Sequence, residues 1–365
     1  MPGEPQTLEQ EITEFLRRDP FSITSPEKNK DFLGLINKLT THHLMHCEPY
    51  RRIVTPIFGD SEANVLEEVP YIPVQLFKTL NMSSVPEADI AKTMTSSGTT
   101  GQAVSKIVLD KATSGAQTRA LAQIMKAVLG PARVPMLVID SSEVVRNRDM
   151  FSARGAGIRG FSMFGREVEY ALDDKMNLRY EAIREFVAKH KGSPIFLFGF
   201  TFMIWEHFCS ELSRTGTKLD IPNGILLHGG GWKKLASLNI GNAEFRSTVA
   251  ETAGIKAVLN YYGMVEQTGS IYVECAEGFL HSSVFSDVVI RDQRDFRPVV
   301  DGTDGVVQVI SMLPLSYPGH SLLTEDLGVV VGRDDCRCGK PGTYFLIHGR
   351  MKDAEVRGCS DTYAA

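Results

Sequence analysis

The sequence predicts an α/β protein built around a parallel sheet, followed by a smaller region of antiparallel strands. Three short apolar runs have the length of buried strands: 134–139, 195–198 and 224–227. Helical stretches at 177–190 and 202–214 lie between these strands, and such alternation is typical of a mainly parallel sheet flanked by helices. From about residue 269 short strands alternate with Gly, Pro and Asp turns, which predicts the antiparallel region.

The elements before and after this core follow from the same periodicities. Apolar residues recur at helical spacing in two N-terminal segments: Leu8, Ile12, Phe15 and Leu16, and then Phe32, Leu35, Ile36 and Leu39. The prolines of the segment 69–73 interrupt the helical pattern and predict an extended connection. A strand at 103–109 and a helix at 111–129 come next. Three late strands are expected at 284–290, 305–311 and 343–348.

Composition restricts the class of function. The chain has 39 basic and 44 acidic residues, a net charge of −5, and no basic block, so a nucleic-acid partner is not expected. Its apolar runs are too short to span a bilayer, and the polar segment 1–4 does not resemble a signal peptide. Six cysteines in 365 residues do not form a disulfide framework. These features predict a cytoplasmic protein with no membrane partner.

A loop rich in hydroxyls and glycines, Thr95–Gln102, is the strongest candidate for nucleotide binding. Glycines let backbone N–H groups approach an anion closely, and hydroxyls add neutral donors. The loop is not a Walker motif, because no Gly-Lys-Ser/Thr follows, although Lys106 lies five residues beyond Gly101. A flexible surface loop is the alternative. The candidate phosphate-binding residues are Ser96, Ser97, Gly98, Thr99, Thr100 and Gly101.

Two further motifs follow predicted strands. Gly229, Gly230 and Gly231 come directly after the strand at 224–227, where ligands of open α/β sheets bind, and they would let a flat purine lie against the backbone. The run Tyr261-Tyr262-Gly263-Met264-Val265-Glu266 follows a short strand at 257–259. There an aromatic ring can stack on a base and a carboxylate can hold Mg²⁺. Ordinary tight turns are the alternative for both motifs.

Two charged motifs complete the set. Asp326 is expected at the end of an extended segment, where a carboxylate can accept hydrogen bonds from both hydroxyls of a ribose. Arg350, in the run from His348 to Asp353, could contact ribose or phosphate oxygens through a bidentate guanidinium. A simple turn and a surface charge cluster are the respective alternatives.

The order and spacing of these motifs resemble the adenylate-forming superfamily, which includes acyl-CoA synthetases, luciferases and peptide-synthetase adenylation domains. Within it, the chain is most similar to the acyl-protein synthetases of bacterial bioluminescence. Three further segments carry that closer resemblance: Ile72–Lys78, Gly229–Lys233 and Glu355–Ser360. The similarity covers roughly residues 65–360. It implies an adenylation core at 65–349, preceded by a helical region at 1–64 and followed by a short tail at 350–365.

The resemblance also implies a reaction and its participants. A carboxylic acid, in this family a fatty acid, would attack the α-phosphate of ATP to give acyl-AMP and pyrophosphate, and a nucleophile would then release AMP. The loop 96–101 would cradle the leaving phosphates, with Thr99 and Thr100 as catalytic residues. Glu266 would hold Mg²⁺, Asp326 would fix the ribose, and Arg350 would touch ribose or phosphate.

One departure from the superfamily concerns the C-terminus. Longer members carry a mobile C-terminal domain with a catalytic lysine near its end, whereas this sequence ends at Ala365, soon after Asp353. That lysine has no counterpart, and Lys106, Lys233 and Lys352 remain alternatives for its role. The bioluminescence family is similarly short, so we expect a fold without the full mobile domain.

Four cysteine and histidine residues have the composition of a structural zinc site. Cys275 and His281 precede the Cys-x-Cys pair Cys336 and Cys338, and a Cys₃His set binds Zn²⁺ tetrahedrally. The phenylacetate–CoA ligase branch has a similar pattern between the same motifs. Unrelated buried thiols are the alternative. The histidines at 42, 43 and 46 are not expected to bind metal, because only Cys47 could complete a set.

The last cysteine, Cys359, is a different kind of candidate. It lies in a polar tail after Arg357, where a thiol can be exposed and partly ionised. In the bioluminescence family a cysteine near the C-terminus accepts the acyl group as a thioester and passes it to a reductase, and Cys359 matches that context. Transfer to coenzyme A, a carrier protein or an amine remains open, as does a catalytically idle nucleotide-binding scaffold. Cys47 and Cys209 lie in helical stretches and are expected in the core.

Overall fold

The computed structural model describes residues 6–96, 104–146, 153–230 and 240–351, together with 232, 235 and 238. The described chain divides into two compact units. The first unit contains the residues up to Ile124 and those from Gly263 onward, and the second contains Met125–Tyr262. None of the described helices combines the length and apolar character that crossing a membrane requires.

Three helices begin the first unit: α1 (Leu8–Phe15), α2 (Ser25–His46) and α3 (Glu48–Phe58). Capping boxes start α1 at Thr7 and α2 at Thr24, which satisfies backbone donors that a helix start leaves free. The apolar residues that predicted these helices are buried: Ile12, Phe15, Leu16, Phe32, Leu35, Ile36 and Leu39. The helical N-terminal segment is therefore confirmed.

A buried ion pair fixes α2 against the sheet of the same unit. The Lys28 ammonium lies 2.7 Å from Oδ2 of Asp287 and donates to the Ser286 carbonyl at 2.6 Å. Burial lowers the pKa of Lys28, and the Asp287 carboxylate opposes that shift. Removing either partner would leave an uncompensated buried charge, which costs roughly 3–5 kcal/mol.

The sheet of the first unit is mainly antiparallel. Its strands are β1 (Ile72–Pro73), β9 (Tyr272–Glu274), β10 (Leu280–His281), β11 (Ser286–Arg291), β12 (Gly305–Ser311), β13 (Ser321–Arg333) and β14 (Thr343–Arg350). The strands are antiparallel neighbours in the order β11, β12, β13, β14, β10, β9, and β1 pairs in parallel with β13. The predicted antiparallel region after residue 269 is confirmed.

A separate hairpin carries the hydroxyl-rich loop. β2 (Lys92–Thr95) pairs antiparallel with β3 (Lys106–Leu109), with Thr95 opposite Lys106. A short helix, α4 (Leu76–Thr79), precedes the hairpin, and α5 (Lys111–Leu129) follows it as predicted. The loop residues 97–103 lie outside the described part of the chain.

The second unit holds the predicted parallel sheet. Its strands are β4 (Val134–Ser141), β5 (Gly165–Leu172), β6 (Ile195–Phe200), β7 (Gly224–Gly229) and β8 (Ala257–Tyr262). They lie in the order β8, β7, β6, β4, β5, and every adjacent pair is parallel. The helices between them are α6 (Glu143–Arg146), α7 (Ala153–Ser162), α8 (Tyr180–Lys189), α9 (Thr201–Met203), α10 (Ser210–Thr215) and α11 (Asn242–Ala253). A π-helical turn, Ile204–Cys209, joins α9 to α10.

Several strands extend further than the sequence predicts. β7 includes Gly229, and β8 includes Tyr261 and Tyr262, because inter-strand pairing continues to these residues. Asp326 was expected at the end of an extended segment, but it lies near the middle of β13. That expectation is wrong because the apolar residues after Asp326 keep β13 paired with β14 as far as Arg333.

Candidate active site

The predicted site residues fall into two groups, one in each unit. Among the described residues, the first unit holds Ser96, Gly263, Glu266, Asp326 and Arg350 and the Cys/His set. The second holds Gly229, Gly230, Tyr261 and Tyr262. The remaining candidates lie outside the described residues: Ser97, Gly98, Thr99, Thr100, Gly101, Gly231, Lys233, Lys352 and Cys359.

Glu266 is a buried carboxylic acid with unused acceptor capacity. It lies in a short 3₁₀ turn, Val265–Gln267, and is only 4% exposed. Its Oε1 makes no hydrogen bond to any described residue. Burial raises the pKa of this carboxyl, whereas the nearby Ser105 hydroxyl and the Arg350 charge oppose the shift. A buried oxygen that has no partner among the described residues is what a bound cation or water would satisfy.

Hydrogen bonds within the first unit fix the backbone around Glu266. The Tyr317 hydroxyl donates to the Glu266 carbonyl at 2.9 Å. The amide of Gln267 donates to the carbonyls of Val309 and Gly319 at 3.2 and 2.8 Å. All these partners are in the first unit, and they orient the carboxyl group without using it.

Gly269 completes this support through a close backbone approach. Its φ is +92°, and a Cβ there would lie 2.5 Å from the Gln117 carbonyl oxygen and 2.7 Å from the Gln117 Cα. Only glycine allows α5 to approach the turn this closely.

Asp326 and Arg350 are partners across neighbouring strands. They face each other in the β13–β14 register, and the Arg350 Nε donates to Asp326 Oδ1 at 3.2 Å. The Arg350 Nη2 also donates to Glu325 Oε2 at 3.2 Å, and the Gln75 amide donates to Oε1 of Glu325. Sequence reasoning assigned no role to Glu325. The one feature of the sequence that could have indicated a role for Glu325 is its position as a second carboxylate directly before Asp326.

The base of the hydroxyl-rich loop is closed by paired serines. Ser96 N donates to the Ser105 carbonyl at 3.1 Å, and Ser105 N donates to the Ser96 hydroxyl at 2.9 Å. Ser105 is fully buried, whereas the next residue, Lys106, is exposed. Alternate residues of a strand point to opposite faces, so these two side chains leave the loop base in opposite directions. Ser105 is close enough to Glu266 for its hydroxyl to lower the pKa of that carboxyl.

In the second unit, a glycine and a tyrosine meet at the carboxyl ends of β7 and β8. Gly229 and Tyr261 are register partners. A Cβ at Gly229 would lie 2.3 Å from Cε1 of the Tyr261 ring, so the ring lies directly over the glycine backbone. Phe161 and Phe198 pack against the same tyrosine, with ring centroids 5.1 and 6.3 Å away. Phe161 and Phe198 are buried, so Tyr261 is the partly exposed member of this aromatic cluster.

His228 supports the same edge from the buried side. Its Nδ1 is 2.9 Å from the Thr201 hydroxyl, and that hydroxyl donates to the Gly229 carbonyl at 3.1 Å. Because the hydroxyl proton is used on Gly229, Nδ1 of His228 carries the hydrogen. Burial lowers the pKa of His228 to about 3, so the ring is neutral at physiological pH. These two hydrogen bonds, from His228 to Thr201 and from Thr201 to Gly229, fix the end of β7.

The four predicted zinc ligands converge in the first unit. One ligand atom from each of Cys275, His281, Cys336 and Cys338 lies within 4.8 Å of the others. The Sγ atoms of Cys275 and Cys336 are 3.9 Å apart, and Cys338 Sγ is 3.4 Å from His281 Nε2. With Zn–S bonds of about 2.3 Å, a tetrahedral site places its sulfurs roughly 3.8 Å apart. The donor set therefore fits a tetrahedral metal ion. The two pairs, Cys275 with His281 and Cys336 with Cys338, are 55 or more positions apart in sequence, and only the fold brings them together.

Cys47, Cys209 and His43 lie in the interior and are not part of the Cys/His set. Cys47 and Cys209 are buried, and burial raises the pKa of both thiols, that of Cys209 to about 12. His43 Nδ1 is 2.7 Å from the Ser84 hydroxyl, and its Nε2 lies 3.1 Å from the Pro314 carbonyl. Burial holds the pKa of His43 well below its usual range, so it serves as a neutral packing residue.

Comparison with solved structures defines the class of fold. An open conformation of 2-hydroxyisobutyryl-CoA ligase, in complex with 2-HIB-AMP and CoA, superposes with a TM-score of 0.69 at 18% identity. The alignment covers 93% of this chain and 78% of that one. The same ligase in the postadenylation state gives a TM-score of 0.67, with 92% and 70% coverage. The chain therefore has the fold of adenylate-forming ligases, as the sequence predicts.

The sequence comparisons then define the family. The profile described as "Acyl-protein synthetase, LuxE" matches residues 5–365, and the chain belongs to this acyl-protein synthetase family. It is also 22% identical over 345 residues to the long-chain-fatty-acid–luciferin-component ligase of Vibrio harveyi, an alignment covering 89% of this chain and 85% of the relative. The predicted enzyme class, an AMP-forming acid–thiol ligase that makes an acyl-protein, is thereby confirmed.

Proposed function

We propose that this enzyme activates a fatty acid with ATP and Mg²⁺ and transfers the acyl group to its own Cys359. The observation that carries the nucleotide half is the buried carboxyl of Glu266, whose Oε1 has no described partner. Asp326 and Arg350 pair in the same unit. The Vibrio harveyi relative is named as a long-chain-fatty-acid ligase, which supports the choice of acid.

The residues divide the work of adenylation. Glu266 would hold Mg²⁺, which supplies charge neutralisation for the phosphates. The loop from Ser96 to Gly101 would bind the departing pyrophosphate, with Thr99 and Thr100 donating hydrogen bonds. Asp326 would accept the ribose hydroxyls, and Arg350 would orient ribose or phosphate oxygens. The chemistry needs positioning and charge compensation more than covalent participation by the protein.

Glycines and aromatic residues would contact the base and the acyl chain. The turn of Gly229, Gly230 and Gly231 would pass close to the adenine, and Tyr261, whose ring covers the Gly229 backbone, would provide an aromatic face together with Tyr262. The acid's carboxylate oxygen attacks the α-phosphorus, the bond to the bridging oxygen breaks, and pyrophosphate leaves. The Cys359 thiolate then attacks the acyl carbon of acyl-AMP, and AMP leaves as the thioester forms.

The thioester would pass to an acyl-reductase partner that makes an aldehyde. The family name specifies an acyl-protein, and the Vibrio harveyi relative is named for ligation to a luciferin component. We further propose a cytoplasmic location, since the described cysteines are all free, as a reducing compartment would keep them. In this proposal residues 65–349 form the adenylation core. Residues 1–64 form an N-terminal helical region, and residues 350–365 form the tail that carries the acyl acceptor.

Exchange of ATP with labelled pyrophosphate, across fatty, aryl and amino acids, tests the first half-reaction. Intact mass spectrometry then tests the second. We expect exchange with fatty acids and one acyl adduct that maps to Cys359. The variant Cys359→Ser should keep exchange within about twofold, because the thiol acts after adenylation, and should lose the hydroxylamine-sensitive adduct. Ser360→Ala is the matched control in the same tail.

Each other result of this experiment has a defined meaning. Exchange without an adduct would move the acceptor to coenzyme A, a carrier protein or an amine, and turnover on those acceptors would identify it. Absence of exchange with every acid would contradict the enzyme and favour a nucleotide-binding scaffold.

We propose that Cys275, His281, Cys336 and Cys338 hold a structural Zn²⁺. Two ligands come from the β9–β10 hairpin and two from the connection between β13 and β14, so the ion would join these hairpins. The site is closed by four protein ligands, which is the arrangement of structural and not catalytic zinc.

Metal analysis of the purified protein tests the zinc proposal. We expect one zinc per chain, and Cys336→Ser should lose the metal and lower the melting temperature by several degrees, since a structural site contributes folding free energy. Cys209→Ser removes a buried thiol outside the cluster and should retain full zinc content. Wild-type protein without zinc, stable in a strong chelator, would reject the site.

A further inference from the structure

We propose that Glu325, held by Gln75, is a positioning residue that keeps Arg350 directed at the nucleotide while Asp326 binds the ribose. This inference rests on the proposed function, because it takes Asp326 and Arg350 as nucleotide ligands. It adds two residues, Gln75 and Glu325, to the set that controls ATP binding. Neither of them touches the nucleotide in this proposal.

Arg350 is shared between two carboxylates that are neighbours in sequence. Its Nε and Nη2 donate to Asp326 Oδ1 and to Glu325 Oε2, each at 3.2 Å. Consecutive residues of a regular strand point to opposite faces, so one guanidinium would ordinarily meet only one of them. The register of β13 shifts against β14 just after Leu327, and such irregularities redirect side chains. The local shape of the strand therefore brings both carboxylates to Arg350.

Glu325 is the fixed member of the pair. Its side chain is 8% exposed, against 17% for Asp326. Its second oxygen, Oε1, accepts a hydrogen bond from the Gln75 amide, and its carbonyl accepts from Met351 N at 2.9 Å. Each carboxylate oxygen of Glu325 thus has a protein partner, one of which is Arg350.

Gln75 is in turn fixed by the main chain. It follows β1, which pairs with β13 through Ile72 and Leu322 and through Pro73 and Leu323. The next backbone bond continues this ladder, since Val74 N donates to the Leu323 carbonyl at 3.0 Å. The pairing of Pro73 with Leu323, two residues before Gln75 and Glu325, therefore places the Gln75 amide beside the Glu325 carboxylate.

These contacts give the two carboxylates different roles. A ribose diol would donate to both oxygens of the Asp326 carboxylate, so the nucleotide would compete with Arg350 for Oδ1 of Asp326. Glu325 has its other oxygen engaged by Gln75 and stays in place. A charge-assisted hydrogen bond to one fixed carboxylate is enough to hold the planar guanidinium in orientation. The Arg350 guanidinium can then release Asp326 and contact the nucleotide while Glu325 keeps it in the same orientation.

Two single variants test this role. Glu325→Gln keeps the side-chain length but removes the charge that holds Arg350, and we expect the KM for ATP to rise about tenfold with kcat changed less than about threefold. Gln75→Leu removes only the support of Glu325 and should raise the KM for ATP roughly threefold to fivefold. The KM for the fatty acid should not change in either variant. Glu277→Gln removes an exposed carboxylate of the same unit and serves as the control.

A double variant separates positioning from a merely structural tie. Gln75→Glu combined with Glu325→Gln keeps an amide–carboxylate hydrogen bond between β1 and β13, but moves the charge away from Arg350. If Glu325 acts on Arg350, the double variant has the wild-type melting temperature but shows the same raised KM for ATP as Glu325→Gln. A return of the KM to the wild-type value would overturn the proposal, as would an equal rise in the KM values of ATP and acid.

Calorimetry with Mg·ATP alone distinguishes this inference from the proposed function. Weaker ATP binding by Glu325→Gln supports the positioning role even if the wild-type enzyme exchanges pyrophosphate with no acid, which would contradict only the function. Unaltered ATP binding by Glu325→Gln would overturn the inference while leaving adenylation intact. A wild-type protein that binds no ATP would overturn both.

Discussion

Glu266→Gln should abolish adenylation and leave the fold intact. We expect ATP–pyrophosphate exchange with a fatty acid to fall by about two to three orders of magnitude, the typical loss when one preorganised charge-stabilising group is removed. The amide has the same shape but lacks the charge that a hard Mg²⁺ ion requires. The melting temperature should stay the same or rise, because the buried Oε1 of Glu266 makes no hydrogen bond to a described residue and a neutral group costs less to bury.

The opposite signs of these two effects make the test specific. A group that serves the fold loses stability when it is neutralised, whereas a catalytic group commonly gains it. Glu277→Gln, at an exposed position of the same unit, should change neither property. Exchange retained within threefold in Glu266→Gln would exclude this carboxylate as the Mg²⁺ ligand, and raising the Mg²⁺ concentration should partly rescue the variant if it is one.

Gly269→Ala should destabilise the first unit severely. The new Cβ would lie 2.5 Å from the carbonyl oxygen of Gln117, and the φ of +92° disfavours any residue with a Cβ. Overpacking against backbone and left-handed strain each cost about 1–3 kcal/mol, so we expect roughly 4 kcal/mol of lost stability in chemical denaturation. Because Gly269 follows the Glu266 turn, residual folded protein should also show reduced exchange.

Gly34→Ala is the matched control, since it makes the same chemical change with the opposite expected sign. Gly34 lies inside α2, where a Cβ would meet nothing within 4 Å. Alanine should stabilise this helix by roughly 0.5–1 kcal/mol. If Gly269→Ala were as stable as the wild-type protein, the close approach of α5 to the Glu266 turn would be refuted.

The position of Asp326 shows where sequence reasoning reached its limit. The sequence indicated a ribose-binding carboxylate at the end of an extended segment, but strand ends depend on pairing with a distant strand. β13 continues to Arg333 because β14 supplies hydrogen-bond partners along that length. For the same reason the role of Glu325 was invisible, since its partners, Gln75 and Arg350, are far from it in sequence.

The sequence by itself determined the parallel core, the antiparallel region after residue 269, the family and the composition of the Cys/His cluster. Those features depend on local periodicity, on turn residues and on motif order, which can all be read from the sequence. Only the tertiary structure decided that four ligand atoms lie within 4.8 Å of one another, that Glu266 is buried with an oxygen that no described residue contacts by a hydrogen bond, and that Arg350 donates to two carboxylates. Burial and contact between distant residues arise when strands pair and pack, and no local pattern encodes those distances.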